Sequence, residues 1–215
     1  TVSGGTVSGN TSAAGGAVYA SGGTVAIIDG SVSGNSAENG GAIYYSGNDS
    51  VTVSGGSVSG NSAENGGGVY LEKGTMTVSG GSVSSNRAEE DGGAVYAVNG
   101  AIEINGGAVG GEAGMGNSAK NGGAVYLESG SAAVSGDARI SYNTAEENGG
   151  GICTVTGSVT ISGGNISANT ATVNGGGVYT VSGGIAVSGS GTAVSGNSAG
   201  SGGGLYSENG AISAS

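Results

Sequence analysis

The apolar positions of this chain keep a schedule. Eight segments align on the residue that follows a glycine pair and an aliphatic: Gly15-Gly-Ala-Val-Tyr19, Gly40-Gly-Ala-Ile-Tyr44, Gly66-Gly-Gly-Val-Tyr70, Gly92-Gly-Ala-Val-Tyr96, Gly122-Gly-Ala-Val-Tyr126, Gly149-Gly-Gly-Ile-Cys153, Gly175-Gly-Gly-Val-Tyr179 and Gly202-Gly-Gly-Leu-Tyr206. Successive anchors lie 25, 26, 26, 30, 27, 26 and 27 residues apart. Six residues past the anchor stands Val25, Met76, Ile102, Val159, Ile185 or Ile212, with Val51 one residue late. Two further on stands Ile27, Val53, Val78, Ile104, Val134, Ile161 or Val187. A spacing of two places side chains on one face of a strand. A third aliphatic follows a glycine-bearing corner: Val7, Val32, Val58, Val83, Val109, Ile140, Ile166 and Val194, flanked by small residues as in Ser57-Val58-Ser59. None of these columns has helical spacing, and their β-branched bias favours strand.

Three short strands and three corners per period describe one coil of a parallel β-helix. A single coil cannot bury its aliphatic side chains, whereas stacked coils form one continuous core. Coils stacked at about 4.8 Å make eight of them a rod of roughly 40 Å. Parallel crossovers are overwhelmingly right-handed. The expected fold is therefore all-β: a single-stranded right-handed parallel β-helix, or solenoid, of about eight coils of 25–27 residues with three short strands each. It is expected to form one domain over residues 1–215, as part of a longer array.

Two polar positions recur with the aliphatics. Three residues after the third aliphatic comes Asn10, Asn35, Asn61, Asn86, Asn143, Asn169 or Asn197, and the fifth copy delays it to Asn117. A carboxamide both donates and accepts, so stacked asparagines can bond along the rod and cap an inward corner. These eight are expected to form a structural ladder. The glycine pair is usually preceded by Asn or Asp, as at Asn39, Asn65, Asp91, Asn121, Asn148 and Asn174. Asn-Gly accepts positive φ and predicts a tight corner.

Composition narrows the class. Of 215 residues 53 are glycine, but none is proline and no triplet period exists, which excludes collagen. A disordered linker would lack the regular aliphatics. The net charge is −11, and the four cations, Lys73, Arg87, Lys120 and Arg139, are scattered. Phosphate backbones are bound through clustered Lys and Arg, so neither nucleic acid nor an anionic membrane surface is an expected partner. No apolar run approaches the roughly 18 residues of a membrane span, and direct membrane insertion is not expected. Cys153 is the one cysteine, so no internal disulfide can form.

The pairing of Gly-Gly-Ala-Ile, as at Gly40 to Ile43, with aliphatic-x-x-Asn, as at Val58 to Asn61, resembles the repeats of chlamydial polymorphic outer-membrane proteins. Those carry Gly-Gly-Ala-Ile and Phe-x-x-Asn in a β-helical adhesin passenger; here Val or Ile replaces Phe. The chain is also similar to β-helix repeat regions of large surface proteins from gut bacteria. The resemblance spans nearly all of the chain. It implies an extracellular or bacterial cell-surface location. It also implies a structural role as a rigid stalk or adhesin passenger that mediates or presents surface attachment. The partner would be a host or neighbouring-cell surface protein or glycan, or further copies of the chain.

Candidate chemistry is sparse, and neither an enzyme nor a cofactor is expected. Most acids fall at one corner: Glu38, Glu64, Glu89, Glu90, Glu146 and Glu147, with Lys120 in the same register. A charge run at a turn is a solvated face; the rival reading is a weak site for hard cations. Glycoside hydrolysis needs two facing carboxylates, and no Asp pair stands out. If the aliphatic before each tyrosine points inward, Tyr19, Tyr44, Tyr70, Tyr96, Tyr126, Tyr179 and Tyr206 point outward by alternation, with Cys153 in the gap. That column reads as a self-stacking ladder, a partner-packing surface or a glycan-contact face. The outward second-strand positions (Thr24, Thr52, Thr75, Thr77, Ser158, Thr160, Ala26, Ala133) make a flat face of small residues. Alternatives to the adhesin stalk are thus a self-assembling fibre subunit, a polysaccharide-active β-helix enzyme and an ice-binding protein. The insertion from Gly110 to Gly116 is a loop where recognition can be grafted.

Overall fold

The structure is a computed structural model that describes residues 1–215. It contains strands and turns only, and every strand pairing is parallel to the copy of itself one coil away. The chain is therefore a β-solenoid of about eight turns. The aliphatic columns stack residue on residue: Val25 lies against Val51, Val51 against Met76, Met76 against Ile102, Ile102 against Ala132 and Ala132 against Val159. The third column does the same from Val7 through Val32, Val58, Val83, Val109, Ile140 and Ile166 to Val194. A one-residue slip would turn each column out to solvent, so the apolar pattern fixes register.

The tyrosine face is built from Val18–Ala20, Ile43–Tyr45, the first residues of Val69–Val78, Val95–Ile104 and Val125–Val134, then Ile152–Thr154, Val178–Thr180 and Leu205–Ser207. In the three long strands the first and second faces run on without a break. The third face comprises short strands such as Ser57–Ser59, Ser82–Ser84 and Asn165–Ser167. To these the structure adds a fourth, which alternation does not reveal. Thr11–Ala14, Ser36–Asn39, Ser62–Ala63, Arg87–Ala88, Ser118–Ala119, Thr144–Ala145 and Thr170–Ala171 make a separate seven-stranded sheet. Each begins just after a ladder asparagine. Most are only two residues long, too short to show a period of two.

Thirty-three buried residues form one continuous core along the axis. Burying each Val or Ile contributes roughly 1.5–3 kcal/mol. The core has one aromatic side chain at its wall: Tyr45 is fully buried. Its phenol donates to the Gly23 carbonyl at 2.7 Å and accepts from the Asp49 amide at 3.1 Å. That hydroxyl is satisfied inside the molecule, as burial requires.

Candidate functional site: the tyrosine face

The face begins with the corner that positions it. Gly122 has φ +62°, and a β-carbon there would sit 2.5 Å from the Val125 carbonyl oxygen and 2.9 Å from the Tyr126 β-carbon. The expected tight corner is present, and the tyrosine side chain lies directly over it. The second glycine of the pair meets the next coil: a β-carbon on Gly123 would lie 2.5 Å from the Gly150 carbonyl oxygen. The corner thus holds one coil's backbone against the next at a distance no side chain permits.

On that corner the tyrosines stack. Tyr19, Tyr44, Tyr70, Tyr96 and Tyr126 lie ring on ring with centroids 5.0–5.2 Å apart and planes within 14° of parallel. Cys153 takes the next place in register, and the stack resumes with Tyr179 and Tyr206 at 5.6 Å. The column does point away from the core, but it is far from fully open. Tyr19 is 61% exposed, whereas Tyr96 and Tyr179 are nearly covered by their neighbours. Ring faces inside the stack are used up by ring faces. What the column offers outward is ring edges and phenol oxygens.

Beside the phenols runs a second row, two residues further along each strand: Ser46, Glu72, Val98 and Glu128, then Val155, Val181 and Glu208. Tyr44 donates its phenol to Glu72, Tyr96 to Glu128 and Tyr179 to Glu208, each reaching one coil ahead. Burial raises the pKa of these phenols, and the carboxylate that accepts the proton raises it further. Tyr70 and Tyr126, on the coils between, make no such bond, and both remain partly exposed. The sequence does carry this signal, in Tyr70-Leu-Glu72, Tyr126-Leu-Glu128 and Tyr206-Ser-Glu208, but the bond joins residues a whole coil apart. The Cys153 thiol is buried, and burial pushes its pKa well up.

The other flank is an amide row. Asn174 donates to Asn148 at 3.0 Å, Asn148 to Asn121 at 3.1 Å and Asn121 to Asp91 at 3.1 Å. Asn65 donates to Asn39 at 3.5 Å. These residues therefore form a second polar ladder in two runs, Asn39 with Asn65 and Asp91 through Asn174, in addition to setting the turn.

The first ladder is complete and lies inside. From Asn10 to Asn169 each side chain donates to the Oδ1 of the next, through Asn35, Asn61, Asn86, Asn117, Asn143 and on to Asn197, at 2.8–3.0 Å. Its second amide hydrogen goes back to an inward carbonyl: Asn86 to Val58 and Asn117 to Val83, both at 3.0 Å. Even the delayed Asn117 occupies its place. The insertion before it closes locally: Met115 donates to the Glu112 carbonyl at 2.9 Å, and its own carbonyl accepts from Ser85 at 3.0 Å.

The remaining candidate positions are dispersed. Glu38, Glu64 and Glu89 line a shallow groove with Arg87, and Lys120 pairs with Glu90 at 3.1 Å. No group of three His, Cys, Asp or Glu side chains comes close enough to hold a metal ion. The Thr column of the second face is interrupted in register, with Thr77 stacked on Glu103 and Glu103 on Ala133.

Residues 29–46 and 137–155 match the family model described as the Chlamydia polymorphic membrane protein (Chlamydia_PMP) repeat. Each match runs from just before a third-face aliphatic, through a ladder asparagine and a glycine pair, to the tyrosine-face strand. No curated protein and no solved structure matches the chain. Two segments of the chain therefore match this repeat, and the chain stacks its coils as a parallel β-solenoid.

Proposed function

We propose that this chain, built on the polymorphic-membrane-protein repeat, is a rigid rod displayed outside a bacterial cell, where it mediates or presents surface attachment. The observation that carries this reading is the position of the two matched segments. Each covers the elements that stack one coil on the next. A family described as a membrane protein repeat supports a surface location. The physical design supports a stalk: two polar ladders, an aromatic stack and parallel pairing on every face give a rod with few ways to bend. Four Lys and Arg residues in the whole chain offer little to trypsin-like proteases. In this reading the chain binds and displays, without turnover.

The test is surface labelling. Antibody raised against the purified chain, applied to intact cells that make it, is expected to label them, and external protease is expected to remove the label. Labelling that needs lysed cells would overturn the proposal. Release of reducing ends from host or plant polysaccharides by the purified chain would overturn the non-catalytic part.

A further inference from the structure

Two rows of the tyrosine face are spaced differently. Phenols recur every coil, with ring centroids 5.0–5.2 Å apart from Tyr19 to Tyr126. Between Tyr44 and Tyr126 two carboxylates stand two coils apart, Glu72 and Glu128 on either side of Val98 in the same register, and the next, Glu208, follows three coils on. The pattern of phenol pairing follows the carboxylates. Tyr44 and Tyr96 are bonded to them, and Tyr70 and Tyr126 are free to bond elsewhere. The amide row, from Asn39 through Asp91 to Asn121, completes the other flank.

A linear ligand lying along the stretch from Tyr44 to Tyr126 must advance one unit per coil and present like groups two units apart. An extended β-1,4-linked pyranose chain does both. Its advance per residue matches the coil spacing, and successive residues are turned over, so a given substituent faces the same side at alternate residues. Ring faces in the column are already stacked, so a sugar would meet phenol oxygens, carboxylates and amides.

Charge then selects the substituent. The chain carries −11, and the row beside these phenols places two carboxylates, Glu72 and Glu128, two coils apart. Each carboxylate has one oxygen bound to a phenol and a second one left over. A ligand cation at alternate residues satisfies that second oxygen through a charge-assisted hydrogen bond.

We infer that the face from Tyr44 to Tyr126 binds an extended β-1,4-linked hexosamine polymer with free amino groups. Its ammonium groups sit on Glu72 and Glu128. Its hydroxyls sit on the Tyr70 and Tyr126 phenols and on the amide row. This inference rests on the surface-rod reading, but the two fail separately: surface labelling tests where the rod is, and binding by the purified chain tests what it holds.

The experiment is calorimetric titration of the full chain, at mildly acid pH, with β-1,4-linked glucosamine oligomers of two, four and six residues. The controls are the fully N-acetylated hexamer, a β-1,3-linked glucan hexamer and hexalysine. Affinity is expected to rise steeply with length. The acetylated hexamer is expected to bind at least about tenfold more weakly, and the β-1,3 chain and hexalysine not measurably. Glu72→Gln and Glu128→Gln are each expected to weaken the hexamer about tenfold. Tyr70→Phe is expected to weaken it with the circular dichroism spectrum unchanged, and Glu112→Gln in the inserted loop to change nothing. Absence of binding, absence of length dependence, equal binding of hexalysine, or a Glu112→Gln loss as large as that of Glu128→Gln would each overturn the inference.

Discussion

The backbone amide and the side-chain amide of Asn61 both donate to one atom, the Oδ1 of Asn86, at 3.1 and 2.9 Å. The second hydrogen of the Asn61 amide goes back to the Val32 carbonyl at 3.1 Å. Asn86 repeats the pattern toward Asn117 and Val58. Both side chains are buried, so no water stands ready as a substitute. Asn86→Ala strips two donors on Asn61 and one carbonyl, Val58, of their partners. Each buried polar group left unpaired costs about 1–3 kcal/mol. The variant is expected to lose at least about 3 kcal/mol in urea denaturation. Because each repeat holds only its neighbours, hydrogen exchange is expected to quicken most in the coils on either side of residue 86.

In every coil but the fifth, where Gly116 precedes Asn117, the residue before the ladder asparagine turns the chain through the left-handed region. Gly60 does so at φ +64°, with nothing closer than 4.0 Å to an added β-carbon. Ala168 occupies the equivalent place at φ 54°. A non-glycine residue there costs roughly 1–2 kcal/mol, partly offset by glycine's greater freedom when unfolded. Ala168→Gly is therefore expected to stabilise the chain by about 0.5–1 kcal/mol, and Gly60→Ala to destabilise it by a similar amount. Gly66→Ala is a different matter. It shares the dihedral, φ +63°, but its β-carbon would lie 2.4 Å from the Val69 carbonyl oxygen. The clash is expected to add roughly 1–3 kcal/mol. Thermal melts of the three variants should rank in that order.

The parts of this fold that repeat at fixed offsets were legible before any coordinates. The Val58 column, the Asn61 ladder and the Gly66 corner each follow from side-chain chemistry at one position in the period, and the stacked coils place all three as expected. The rest depends on neighbours in space. Ser62–Ala63 becomes a strand only because Ser36 and Arg87 lie on either side of it. Asn121 reads as a turn residue, yet it also links Asp91 to Asn148. Tyr44 and Glu72 are separated by 28 positions, and the local cue, Tyr70-Leu-Glu72, sets the carboxylate beside a tyrosine of its own coil, whereas the bond goes to the tyrosine of the coil before. Tyr45 follows Tyr44 and takes the opposite side of the strand, so one of two adjacent tyrosines is core and the other surface. The tyrosine column's outward direction follows from alternation, whereas the covering of Tyr96 by its neighbours follows from stacking.

Cys153 interrupts the aromatic column without disturbing its register, since Tyr126 and Tyr179 pair with it from either side. Cys153→Tyr would restore two ring pairs. Offset-stacked aromatic pairs contribute about 0.5–1.5 kcal/mol each beyond their buried area. The variant is expected to melt higher than the parent and to strengthen the near-ultraviolet circular dichroism of the stack. In the parent, the buried thiol with its raised pKa is expected to react with a disulfide reagent only after denaturation. Rapid labelling of the folded chain would show that the column opens at this coil.

Alkali tests the phenol–carboxylate pairs. The pKa values of Tyr44, Tyr96 and Tyr179 are raised above the ordinary 10.0, by burial first and then by the Glu acceptor. Tyr70 and Tyr126 are raised by burial and by nearby acids. In each case the folded state holds its proton more tightly than the unfolded chain does. Their contribution to stability is thus complete below pH 10, where both states keep the proton, and is lost progressively as pH rises beyond it. An absorbance titration at the phenolate band is expected to show these tyrosines ionising late and together with unfolding. Glu72→Gln removes both the carboxylate acceptor and its charge but leaves the burial. It is expected to lower the ionisation pH of Tyr44 part of the way back toward that of a free tyrosine. A variant that titrates like the parent would show that burial alone holds the proton on Tyr44.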